Sequence, residues 1–230
     1  ELGHPYTLMM AQFWTAVTLM GLRDYTTVRS HAAAARQLCH KYDFHYFLGL
    51  ATFIEGWALA MQGAEAAAIP QMEQSLAQMG DIGANRPRHS YLAFLAEAYG
   101  RIGDFNQALR VVDEGLAAIL PGGGASEEAL YRLRGEFLME QAAAAADGPA
   151  ADEILAQSEA TLRRALAIAQ EQDAKSLELR ACMGLSRLWL RQGKVAAAEQ
   201  LLGDMYNWFT EGLDTPDLQE AQQLLENGGP

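Results

Sequence analysis

The sequence predicts an all-α fold, a solenoid of about five helix pairs closed by one further helix. Three observations carry this. A short side chain recurs at Val28, Ala68, Ala108, Ser158 and Ala198, at spacings of 40, 40, 50 and 40 residues. Fixed internal periods of this size mark stacked supersecondary units. Within a period the apolar residues fall at helical intervals, as at Leu92, Leu95, Ala96 and Tyr99. Glycine or an acid with a following aromatic or aliphatic breaks most periods midway, as in "GDF" at 103–105 and "GKV" at 193–195.

The units follow in order. The first, roughly 5–43, has Ala16 as its small crossing residue and Tyr25 just past its turn. The second, 44–83, holds the most apolar stretch, "FHYFLGLATFIEGWALAM" at 44–61. That run approaches the length of a membrane span, but His45 and Glu55 lie inside it and no basic flank orients it, which reads as a buried core helix. Gly56 and Ala68 are the crossing residues around Gly63, and Pro70 should kink the second helix. In the third unit, 87–120, Gly103 stops one helix because glycine accepts the left-handed conformation. Phe105, Ala108, Leu109, Val112 and Leu116 then form the inner face of the next. The fourth, 127–172, carries Leu133, Gly135 and Leu138, and the insertion "AAAAADGPA" at 142–150 accounts for its extra length as a loop. Pro149 stands near the next helix start. The fifth, 174–212, repeats the grammar with Ser186, Trp189, Gly193 and Ala198. A last helix at 215–227 has Thr215 to cap it, Pro216 at its first position and Asp217 to complement its dipole. "GDIGANRPR" at 80–88 and "LPGGGAS" at 120–126 read as connectors.

Gly-acid-aromatic followed by spaced small residues resembles the tetratricopeptide repeat, and units three and five fit best. The resemblance implies a right-handed superhelix whose first helices line a concave face. From about residue 155 onward, with "WFTEGLDTPDL" at 208–218 as the most specific part, the chain also resembles the C-terminal end of large bacterial signalling proteins. In that family a class III nucleotidyl cyclase or DNA-binding domain and an AAA-type ATPase precede a tetratricopeptide array. This implies a cytoplasmic regulatory region. A helical pattern that begins almost at Glu1 reads as a fragment of a longer protein.

The 230 residues are half hydrophobic, with a formal charge of -12. An acidic chain repels phosphate backbones, which argues against nucleic acid as a general partner. No membrane partner is expected either, and the oligomeric state is open. Cys39 and Cys182 read as buried thiols without metal-ligand spacing. There is no phosphate-binding GxxxxGK[ST] loop and no GxSxG elbow. "CHKYDFH" at 39–45 brings a thiol near two imidazoles but has no second cluster to complete a metal site. We therefore expect no cofactor, no metal and no enzymatic activity. Glu127-Glu128, and Glu136 with Glu140, are paired carboxylates, more simply read as a solvated helix face than as an acid–base pair of a hydrolase.

Arg180, Arg187, Arg191 and Lys194 lie at spacings of 7, 4 and 3 on one helix face. Carried onto the concave face that the resemblance implies, the candidate groove is apolar at one end through Phe13, Phe53 and Trp57. It is charged at the other through Glu97, Arg101, Arg132, Glu136, Arg187 and Arg191. Such a surface could hold a peptide or protein, or a neighbouring domain, with aromatic anchors and Arg forks for carboxylates. Two other readings stand beside it. The aromatics could be core and the arginines paired with glutamates of adjacent helices. Alternatively, the superhelix could close on an apolar small molecule near Trp57, which an upstream ATPase or cyclase would sense.

Overall fold

A computed structural model describes residues 4–81, 88–119, 125–145 and 148–227. Among them there are eleven helices and no strand: α1 Pro5–Met20, α2 Tyr25–Tyr42, α3 His45–Met61, α4 Glu65–Asp81, α5 Arg88–Arg101, α6 Phe105–Ala117, α7 Ala125–Ala144, α8 Pro149–Glu171, α9 Lys175–Arg191, α10 Val195–Tyr206 and α11 Pro216–Asn227. They form two compact units, Glu1–Asp104 and Phe105–Pro230.

In each unit every helix packs on the next, and alternate helices also meet: α1 with α3, α3 with α5, α7 with α9 and α9 with α11. This two-layer pattern follows from the sequence period, because each helix must bury one stripe against a neighbour. The turns are built alike. At Gly63 (φ +92°) the amide of Ala64 reaches back to the carbonyl of Leu59, and that of Gly63 to Ala60. At Gly193 (φ +72°) Lys194 reaches Trp189 and Gly193 reaches Leu190. These paired bonds satisfy the carbonyls a helix end would orphan, and they need a left-handed residue that glycine supplies without strain. Asp43 (φ +57°) and Asp173 (φ +51°) close α2 and α8 in the same conformation with an ordinary side chain.

Small residues let the layers approach. In the first unit Gly49 and Gly56 of α3 face Met79 and Met72 of α4. In the second, Leu162 of α8 is seated between two glycines: a Cβ on Gly135 of α7 would lie 2.5 Å from its Cγ, and one on Gly184 of α9 2.9 Å from its Cδ2. Ser158 Oγ donates to the Gly135 carbonyl at 2.7 Å, one turn away. Ala96 and Ala108 are each fully buried.

Two expectations are corrected. The insertion at 142–150 is not a loop throughout: α7 runs to Ala144 and α8 starts at Pro149, with 146–147 outside the described residues. Alanine's helix propensity extends the two helices into the extra length. Lys194 lies beyond the end of α9 and reaches Glu159 of α8 at 3.4 Å. Pro70 lies within a helix as expected, inside α4 (Glu65–Asp81). The connectors at 80–88 and 120–126 fall mostly outside the described residues.

Candidate functional site

In the first unit the three candidate aromatics lie in the interior. Phe13, Phe53 and Trp57 are 4 %, 0 % and 3 % exposed. Phe13 meets Phe47 edge-on at 5.3 Å, and Phe53 meets Tyr91 at 4.7 Å. Trp57 is closed in by Tyr25 and Phe94, and its indole Nε1 donates to Glu97 Oε2 at 2.9 Å. Glu97 is thereby tied to the core aromatic and is half-buried. Arg101 donates to Glu65 of α4 at 2.9 Å; the Glu65 carboxyl is held below its usual range first by its own backbone amide and then by this bond.

The second unit holds the charged part. Along α7, Glu128, Arg132, Glu136 and Glu140 follow at intervals of four, one helix stripe. Arg132 donates twice to Glu136, both at 3.1 Å, and its Nε lies 3.6 Å from Glu128 Oε1. On α9, Arg191 reaches Glu140 of α7 at 2.6 Å. Arg180 and Arg187 turn the other way, to Asp217 and Glu220 of α11, each at 2.7 Å. The site of Gly184 brings the Glu136 carboxylate close to α9, 3.6 Å from where a Cβ would stand. The three helices α7, α9 and α11 are thus laced by charge pairs; of the candidate residues Arg187 and Arg191 belong to that lacing, whereas Arg132 and Glu136 pair with each other along α7.

Glu128 departs from the reading of a solvated face. Its side chain is fully buried, and neither carboxylate oxygen has a hydrogen-bond partner. Burial pushes its pKa up to about 7, Glu136 adds to the rise, and Arg132 and Arg180 oppose it. The neighbouring Glu127 instead reaches Arg164 of α8 at 3.7 Å. Adjacent residues on a helix point about 100° apart, so one of the pair turns inward. The i, i+4, i+8 run with Arg132 and Glu136 was the signal that could have set Glu128 apart.

As an acid–base pair, Glu136 and Glu140 are each engaged by an arginine, Arg132 and Arg191. Cys39 and Cys182 are buried free thiols, pushed up to about 11 and about 12 by burial. Among the described residues no three His, Cys, Asp or Glu side chains are placed to hold a metal ion. No helix among them is long and apolar enough to cross a membrane.

Neither a family model nor a curated protein matches the chain. Solved structures do. The nearly identical TPR-like repeats of a kinesin light chain from Podosopora anserina superpose with a TM-score of 0.57 at 15 % identity, covering 98 % of each chain. A variant of the same repeats gives 0.59 at 17 % identity, over 89 % of this chain and 95 % of that one. The likeness shows the fold: a tetratricopeptide-like helical repeat array.

Proposed function

We propose that this array is a non-catalytic scaffold that binds a protein or peptide, or a neighbouring domain, as a regulatory region of a bacterial signalling protein. The observation that carries the reading is the charged lacing of α7, α9 and α11. Arg187 and Arg191 keep 30 % and 45 % of their side-chain surface while already oriented by Glu220 and Glu140. A guanidinium held in place but still reachable can present its remaining donors to an incoming carboxylate at low ordering cost. The placement in a signalling protein is supported by the resemblance of the last third of the chain to cyclase- and ATPase-associated arrays. The small-molecule alternative has less support, because Tyr25, Phe94 and Glu97 already occupy the surroundings of Trp57.

The test is affinity capture from the host with identification by mass spectrometry, using wild type and an Arg187→Glu/Arg191→Glu double variant. Arg132 is left intact because its reversal would set a third acid against Glu128 and Glu136. The expected result is loss of specific partners by a protein of nearly unchanged stability, since exposed pairs contribute ~0–1 kcal/mol each. Identical partner sets from two equally stable proteins would remove the proposal.

A further inference from the structure

The outer face of α1 is made like an inner one. Pro5–Met20 contains no Asp, Glu, Lys or Arg in sixteen residues. A helix exposed to solvent normally carries charged residues on its outer side. Yet Leu8 and Trp14 are 45 % and 54 % exposed, as is Leu22 just past the helix end at 55 %. Leu8, Ala11, Thr15, Thr18 and Leu22 follow at intervals of three and four, one exposed stripe with Trp14 beside it.

α3 shows what such a stripe packs against. It stands forty residues on from α1, the offset that also separates Val28 from Ala68. The inward positions agree: Phe13 and Ala16 correspond to Phe53 and Gly56, all buried. The outward positions do not. Ala11, Trp14 and Thr18 correspond to Ala51, Ile54 and Ala58, which are 0 %, 1 % and 0 % exposed. Thr15 corresponds to Glu55, which Arg36 of α2 reaches at 2.6 Å, so this is the side of α3 that α2 covers. The exposed side of α11, by contrast, is polar, with Gln219, Gln222, Gln223 and Glu226.

We infer that the outer face of α1 is the seat for the second helix of a further helix pair of the same kind, stacked ahead of α1 as α2 stacks on α3. A second copy of the chain fits less well. Its α2, α4, α8 and α10 are each already held between two first helices. The occupant is an amphipathic helix with a small-residue stripe, and it needs no counter-charge, because Thr15 stands where α3 has Glu55.

The test uses the 230-residue chain with Trp208→Phe, so that Trp14 is its accessible tryptophan; Trp57 and Trp189 are buried. A second protein carries in addition a copy of residues 5–44 bearing Trp14→Phe and Arg36→Leu, joined ahead of Pro5, so that the copied helix brings no cation to Thr15. The first protein should be a monomer in sedimentation whose emission is quenched by acrylamide. In the second, quenching should fall towards that of buried indole, the melting temperature should rise, and Trp14→Glu should abolish both gains. The inference is overturned if the added residues bring no helix by circular dichroism, or if Trp14 stays as accessible as before. It is equally overturned if the first protein is a dimer that Trp14→Glu dissociates, because a second copy then fills the seat.

Discussion

Replacing Glu128 by Gln should stabilise the chain above neutral pH and change little near pH 4.5. The folded carboxyl titrates at about 7, against an ordinary value of 4.5. A raised carboxyl pKa means that the folded state holds the proton more tightly than the unfolded one. Below pH 4.5 both states are protonated and the group costs nothing. Between 4.5 and 7 the unfolded chain ionises first, so stability falls as pH rises, and above 7 the full penalty applies. At 1.36 kcal/mol per pH unit the shift amounts to about 3 kcal/mol. Gln occupies nearly the same volume and never ionises, and Arg132 keeps its two bonds to Glu136. For a chain of this length 1 kcal/mol moves the midpoint by about 2–4 °C, so the variant should lead wild type by about 6–12 °C at pH 8. The assay is thermal unfolding by circular dichroism at half-unit steps from pH 4.5 to 8. A difference between variant and wild type that stays flat across that range would refute the burial of a titrating Glu128.

Other perturbations follow from the packing and the turns. Gly184→Ala places a Cβ 2.9 Å from Leu162 Cδ2 and should cost ~1–3 kcal/mol through overpacking despite alanine's better helix propensity; a denaturant midpoint equal to wild type would disprove the seat. Gly135→Ala, at 2.5 Å from Leu162 Cγ, should cost more than Gly184→Ala in the same titration, and the reverse order would contradict the geometry. Asp173→Gly should stabilise by up to about 1 kcal/mol, because a left-handed residue then carries no Cβ; its exposed contact to Lys175 at 3.8 Å is a minor loss. A lower melting temperature would show that the aspartate has a role at that turn beyond its backbone.

The repeat period and the glycines at 63, 103 and 193 made the fold class legible, because a left-handed turn at a fixed interval leaves its mark on residue type. Asp43 and Asp173 adopt the same turn without that mark. The alanine run at 142–144 misled for a related reason: small residues beside Gly and Pro look like a loop but extend a helix where packing continues. At the candidate site the arginine stripe was legible as spacing, whereas its pairing was not. Arg191 and Glu140 are 51 residues apart and Arg187 and Glu220 are 33 apart, so only the stacking of units joins them. Phe13, Phe53 and Trp57 show the same limit. Helical periodicity marks one face of a helix, and which face turns inward is decided by the neighbours.

Leu162 bears on how the second unit moves. One side chain fills a socket on α7 and another on α9, so neither helix can slide without stranding it in a half-empty hole. The smallest piece that can open cooperatively is then three helices rather than one pair. Amide protons along the middles of α7, α8 and α9 should exchange with a common protection factor. A ligand that displaces α9 by a fraction of a turn would be felt at α7, half a hundred residues away in the chain (Gly135 to Gly184), through a single leucine.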